Sequence, residues 1–142
     1  YSPLEEKLNA LKGLLGETKR NGERLDASTE VRHGLARLTA DVQMAKMLQR
    51  RVIYASSQGR VPTIEAAMCK LYSTALHQKL ADFAIDALGP QGLLHMADPD
   101  APAGGKWEWS YRATALDTIG AGTSEVQKNI IARRELGLPL EF

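Results

Sequence analysis

Gly89, Gly92, Gly120 and Gly122 carry the strongest chemical signal in this sequence. Glycine lets a backbone turn sharply and approach a bound group closely, and these four fall in two clusters. Gly120 and Gly122 lie in Ile119-Gly120-Ala121-Gly122-Thr123-Ser124-Glu125-Val126-Gln127. Thr123 offers a capping hydroxyl, and Val126, Ile130 and Ile131 follow at helical spacing. The pattern predicts a sharp turn feeding a helix N-terminus, whose free N–H groups suit phosphates and polar ligand edges. Gly137 and Pro139 end that helix. Gly89 alone reads as an ordinary helix C-cap.

Other reactive side chains are scattered. His33, His77 and His95 have no partner at i+4 and no Cys–His spacing, so a metal site or a nucleophilic triad is unsupported. Cys69 reads as a small buried residue, and Met44, Met47 and Met68 as core filler. Trp107 and Trp109, with Tyr111 next in the alternation, either anchor a loose loop or wall a ligand; anchoring is the simpler reading. Surface salt bridges account for Arg112, Arg133 and Arg134, although Arg112 precedes the ligand-directed glycine turn.

With 142 residues the chain is long enough for one domain with a real core. It begins at Tyr1 without an initiator Met, and a piece of something longer is the expectation. A net charge of +1 gives no broad pull toward nucleic acid or anionic membrane. The single cysteine excludes an intrachain disulfide and fits a reducing compartment. No apolar run approaches a membrane span and no signal-peptide layout is present. A soluble cytoplasmic protein is expected.

The elements that must position the glycine turns read as helices. Pro3, Glu5 and Glu6 open the first, with Leu4, Leu8, Leu11 and Leu15 as its apolar stripe, to about Arg20. Asn21-Gly22 stops it, and Glu23 to Ala27 reads as a polar linker. A second helix runs from about Ser28 to Gly59, with Leu35, Leu38, Val42, Ala45, Leu48 and Val52 on one side. Pro62 and Thr63 open a third, burying Ala67, Leu71, Ala75, Leu80, Phe83, Ala84 and Leu88 and stopping at Gly89-Pro90. His95 to Lys106 is loop, Trp107 to Thr118 a fourth helix, and Thr123 to Leu136 the last. No segment alternates as a strand does. The expectation is an all-α, up-and-down helical bundle.

The segment from Ile119 to Gln127, running on into Ile130-Ile131-Ala132-Arg133, resembles the closing signature of the acyl-CoA dehydrogenases: Glu-Gly-Thr-Ser-Glu-Ile-Gln, then an Ile-Ile-Ala-Arg helix. Ala84-Ile85-Asp86-Ala87-Leu88-Gly89-Pro90-Gln91-Gly92-Leu93 resembles the helix-end glycine turn of the same family. The earlier part of the chain fits by helix order and length. Within the pattern, Ala121 stands where the glutamate base is common, Pro90 where a glycine is usual, and Asp86 where an amide is common.

The resemblance implies that residues 1–142 are the C-terminal helical domain of an FAD-dependent enzyme. It implies that Gly89, Gln91 and Gly92 lie by the flavin pyrophosphate of a neighbouring subunit. Thr123 and Glu125 lie by the FAD near the acyl-thioester, with Gly120, Ala121 and Gly122 close to substrate. The implied reaction is α,β-dehydrogenation of an acyl-CoA: a carboxylate takes the α-proton while hydride leaves the β-carbon for the flavin. Alanine at 121 cannot be that base. Some members keep it on the first helix of the domain, a position that falls just before Tyr1, and the 142 residues alone are then inactive. The resemblance further implies an electron-accepting flavoprotein and a homo- or hetero-oligomer as partners, with no nucleic acid, membrane or metal. The second reading is a non-catalytic helical assembly module of the same fold that lacks a base.

Overall fold

The computed structural model describes residues 2–139. Helix α1 spans Ser2–Glu17, α2 Thr29–Ser57, α3 Thr63–Leu88, α4 Lys106–Asp117 and α5 Ser124–Arg134. The first stripe is as the sequence predicts: Leu4, Leu8, Leu11 and Leu15 are all fully buried. Spacing of three and four residues stacks them on one face, which is the face the rest of the bundle covers.

The stretch that joins the first two helices differs from the sequence reading, and the last helix ends at Arg134 rather than Leu136. The first helix ends at Glu17 rather than Arg20, with the Thr18 amide and hydroxyl both donating to the Leu14 carbonyl. The expected linker is instead a hairpin of two-residue strands, β1 (Lys19–Arg20) and β2 (Glu23–Arg24), paired antiparallel with Arg20 opposite Glu23. Asn21 and Gly22 have φ of 54° and 84°, the left-handed pair that a two-residue hairpin turn needs. Strands this short cannot display alternation, so only the Asn-Gly dipeptide signals them.

α2 and α3 run antiparallel. Gly34 packs against the Phe83 ring, Asp41 accepts from Tyr72 and Lys79, and Arg60 pairs with Glu65, so partners converge towards the connecting turn. α3 also touches α1, α4 and α5. Its buried residues are Ala67, Cys69, Ser73, Leu76, Leu80, Ala81, Ala84, Ala87 and Leu88. At ~3.6 residues per turn these cover about half the circumference, wider than a single stripe. Ala75, expected inside, lies outside that arc and is exposed, while Leu71 and Phe83 are half-buried. Small side chains dominate the arc, which lets several helices approach the same axis.

Met44 and Met47 are not core filler. Both are about half exposed, on the side of α2 turned away from Leu38, Val42 and Ala45. Tyr54 extends this side beside Met47 toward the end of the helix, and Ile53 is exposed as well.

Burial in the α3 arc gives a direct test. Leu80→Ala should cost about 2–5 kcal/mol through lost transfer energy and an unfilled cavity, whereas Ala75→Ser should stay within about 0.5 kcal/mol. Denaturant unfolding of the two variants checks both values.

Candidate functional site

The C-terminal glycine turn is built between α4 and α5 and held by α3. The Ile119 and Gly120 amides both donate to the Leu116 carbonyl, closing α4. The backbone then turns left-handed at Ala121 (φ 54°) and Gly122 (φ 93°) before Thr123 becomes extended as the α5 N-cap. A non-glycine residue in that region costs on the order of 1–2 kcal/mol, so the surroundings must enforce it. Lys70 Nζ, from α3, donates to the Gly122 carbonyl at 2.6 Å and the Asp117 carbonyl at 3.3 Å. The buried Gln127 side chain donates to the Ala121 carbonyl at 3.4 Å. A Cβ at position 122 would lie 2.7 Å from that same Gln127 amide nitrogen, which explains glycine there.

Asp117, at the start of the turn, pairs with His77 of α3 at 3.1 Å. It also faces Lys7 of α1: burial lowers the Lys7 pKa, and the Asp117 carboxylate opposes that shift.

Thr123 caps α5 as the sequence predicts, its hydroxyl oxygen accepting from the Val126 amide at 3.3 Å. The free N–H groups expected at this N-terminus are not free. The Ser124 amide donates to the Thr118 carbonyl, the Val126 amide to the Thr123 hydroxyl and the Gln127 amide to the Thr123 carbonyl. The turn folds back on α4 and satisfies them internally. Glu125 is exposed, and its own amide, then the Thr123 hydroxyl, hold its carboxyl below the usual range. On α5 the buried face belongs to Gln127, while Val126 of the apolar pattern points outward.

The other glycine turn closes α3. Gly89 has φ 62° and ψ −147°, a conformation open essentially to glycine, and its amide donates to the Ile85 carbonyl. Gly92 is buried against Leu88 and Ile85, while Pro90 and Gln91 are exposed. Arg20, on the β1 strand, donates to the Ala87 and Leu88 carbonyls at 3.1 and 2.9 Å. Its guanidinium lies 2.9 Å from where a Cβ on Gly89 would stand. A cation therefore seals the negative end of α3 directly beside the turn. Asp86 lines the adjoining cleft of about 420 Å³ with Arg20, Arg24 and Phe83.

The two turns do not meet. Lys70 marks one along α3 and Leu88 the other, about 27 Å apart at a rise of ~1.5 Å per residue. Gly89, Gln91 and Gly92 thus form one group, and Gly120, Ala121, Gly122, Thr123 and Glu125 another.

Trp107, Arg112, His33, His95 and Cys69 take their simpler readings, while Arg133 and Arg134 are exposed in the last turn of α5. Trp107 is buried and anchors the loop after α3, while Trp109 and Tyr111 are exposed. Arg112 forms an i,i+4 ion pair with Glu108. His33 and His95 are exposed and Cys69 is buried. Among the described residues there is no cluster of metal-ligating side chains and no helix long and apolar enough to cross a membrane. Sequence reasoning missed Arg20 and Lys70. Their partners lie 67 to 68 and 47 to 52 residues away, and no local pattern marks such contacts.

Two glycine turns on a helical bundle, each sealed by a cation from a distant element, are the geometry with which known proteins can be compared. Residues 2–136 match the family of the acyl-CoA dehydrogenase C-terminal domain, and the chain belongs to that family. It is similar to the acyl-CoA dehydrogenase FadE26 of Mycobacterium tuberculosis, at 34% identity over 124 residues, 83% of this chain and 30% of that protein. Acyl-CoA dehydrogenase IpdE1 of the same organism is 42% identical over 72 residues, 51% of this chain and 18% of that protein. Among solved structures, the ChsE4-ChsE5 complex of Mycobacterium tuberculosis superposes with a TM-score of 0.86 at 31% identity. That match covers 99% of this chain and 36% of the other. The matches thus span from about a fifth to about a third of the length of these relatives.

Thr123→Val removes the α5 cap and should cost about 0.5–2 kcal/mol. It should also let the Glu125 pKa rise toward its ordinary value. Glu125 has its folded pKa depressed, so its contribution to stability is present above its unfolded pKa and is lost as pH falls through the folded one. The variant should lose less stability on acidification than the wild type. A carboxyl NMR titration of Glu125, with unfolding measured across acid pH, checks both effects.

Proposed function

We propose that this chain, residues 1–142, is the C-terminal helical domain of an FAD-dependent enzyme that dehydrogenates an acyl-CoA at its α,β-bond, with the catalytic base outside these residues. The observation that carries the reading is the turn from Asp117 to Thr123. It keeps its cap and its strained left-handed backbone, yet it presents Ala121 where a carboxylate would be needed. A base for an α-proton needs a raised pKa, as desolvation gives. The carboxyls of this domain that are displaced, Glu5, Asp26, Glu65, Glu108 and Glu125, all move downward, mostly through hydrogen bonds to cations or amides.

The residues present fit an FAD split between two places. At the α3 end, Gly89 is half-buried against the Arg20 guanidinium, Gln91 is an open amide, and Arg20 sets positive charge beside them; that suits a diphosphate. At the other turn, Thr123 supplies a hydroxyl and Glu125 a carboxylate for the polar edge of a ligand. When bound, the flavin supplies the hydride acceptor. This chain's contribution is to hold Gly120, Ala121 and Gly122 as a close backbone wall beside the acyl group. The separation of the two turns supports one flavin contact in the same subunit and the other across a subunit interface. Met44, Met47, Ile53 and Tyr54 leave apolar surface on α2 for a partner subunit of the same or a related kind. The acyl-CoA and an electron-accepting flavoprotein complete the set of partners.

The test is turnover of a panel of acyl-CoAs by the full-length protein and its Ala121→Glu variant, with an artificial electron acceptor, across pH. With the base supplied from upstream, the wild type turns over. The added carboxylate then raises one of the two pKa values, and activity falls or its pH profile shifts upward. A wild type without activity that gains it in Ala121→Glu favours the assembly-module reading. Robust turnover that the substitution leaves untouched at every pH means that residue 121 does not face the α-carbon.

A further inference from the structure

We propose that Lys70 is a positioning residue for the substrate-facing turn, setting the backbone geometry of Ala121 and Gly122 from the middle of α3. The proposal rests on the reading that this turn lies beside the acyl group. Three observations lead to it. First, the Lys70 ammonium reaches across to two carbonyls of the turn, Gly122 at 2.6 Å and Asp117 at 3.3 Å, which places one charge on both the end of α4 and the bend beyond it. Charge-assisted bonds to carbonyls are stronger than neutral ones, and a cation at a helix C-terminus complements the dipole. Second, the bend contains a left-handed alanine at 121, a conformation that persists only when neighbours impose it. Third, the neighbours that do so act on adjacent carbonyls from two different helices: Gln127 of α5 on Ala121 and Lys70 of α3 on Gly122.

Lys70 adds little to the core. It is half-buried, and the tight packing of α3 belongs to Leu76, Leu80, Ala81 and Ala84, all of them fully or almost fully buried. Removing the ammonium should leave the bundle intact and free the turn. α3 is the element that every other long helix packs against, so a clamp mounted on it transmits the rigidity of the bundle to the backbone beside the substrate. A displaced turn misplaces the acyl group relative to its reacting partners, so the loss should fall on kcat more than on KM.

The experiment uses the full-length, flavin-loaded protein as wild type, Lys70→Met and Lys70→Arg. Amide hydrogen exchange is followed at Gly120 to Ser124, and kcat and KM are measured for the acyl-CoA that the wild type turns over best. Lys70→Met should speed exchange in the turn by about tenfold or more while α2 and α3 amides stay protected, and should lower kcat on the order of tenfold to a hundredfold at unchanged flavin content. Lys70→Arg, which can still donate to two carbonyls, should recover part of both effects. Unchanged exchange in Lys70→Met, or faster exchange with wild-type kcat, overturns the proposal. Exchange that rises throughout α3 also overturns it, since that describes a structural lysine. A wild type that turns over no acyl-CoA sinks the dehydrogenase reading instead, and the exchange arm, which needs no turnover, tells that failure apart from failure of the clamp.

Discussion

α3 can be covered on several sides only because its buried arc is made largely of small side chains. Ala67, Ser73, Ala81, Ala84 and Ala87 let neighbouring axes come close, and Leu76, Leu80 and Leu88 fill the space between them. Burial of such an arc is worth roughly 25 cal/mol per Å² of apolar surface and is non-directional, so it stacks helices without fixing loops. The loops are fixed by polar contacts mounted on the same helix. Arg20 seals the C-terminal end of α3, and Lys70 with His77 secures the turn that follows α4.

These two devices share a logic. Each glycine turn holds a backbone conformation that an ordinary peptide avoids, and each is locked by a cation donating to backbone carbonyls. Strain of this kind is kept where the surroundings over-determine it. In both places what faces outward is bare backbone with one or two polar side chains, Gln91 at one and Thr123 with Glu125 at the other. Arg20, Leu88, Pro90 and Gln91 line an open cleft of about 260 Å³ at the α3 end. On the proposed reading, both turns are walls whose opposite faces come from other parts of the protein or from other subunits.

How much of this was legible in the sequence depends on the range of the interaction. The leucine stripe of α1, the Thr123 cap, the glycine ends of α2 and α3 and the family signature are local patterns, and they read correctly. The inward face of α3 read poorly at Ala75, because a helix packed by several neighbours has no single stripe. Met44 and Met47 are apolar side chains on the exposed side of α2, and composition alone cannot separate a core position from surface awaiting a partner. The hairpin at Lys19 to Arg24 is too short for periodicity. The amides of the α5 N-terminus seemed available because the turn's fold-back onto Thr118 is a tertiary event, and the Lys70 and Arg20 contacts are tertiary in the same sense.

The central claim is that the two glycine turns, about 27 Å apart along α3 at ~1.5 Å per residue, serve two different ligand contacts rather than one site. A structure of the full-length protein holding FAD and an unreactive acyl-CoA analogue tests it most directly. The account predicts Thr123 and Glu125 beside the flavin that faces the thioester in the same subunit, and Gly89 to Gly92 beside the pyrophosphate of a flavin held by a neighbouring subunit. A single FAD touching both turns of one chain, or a flavin that approaches neither, would contradict it.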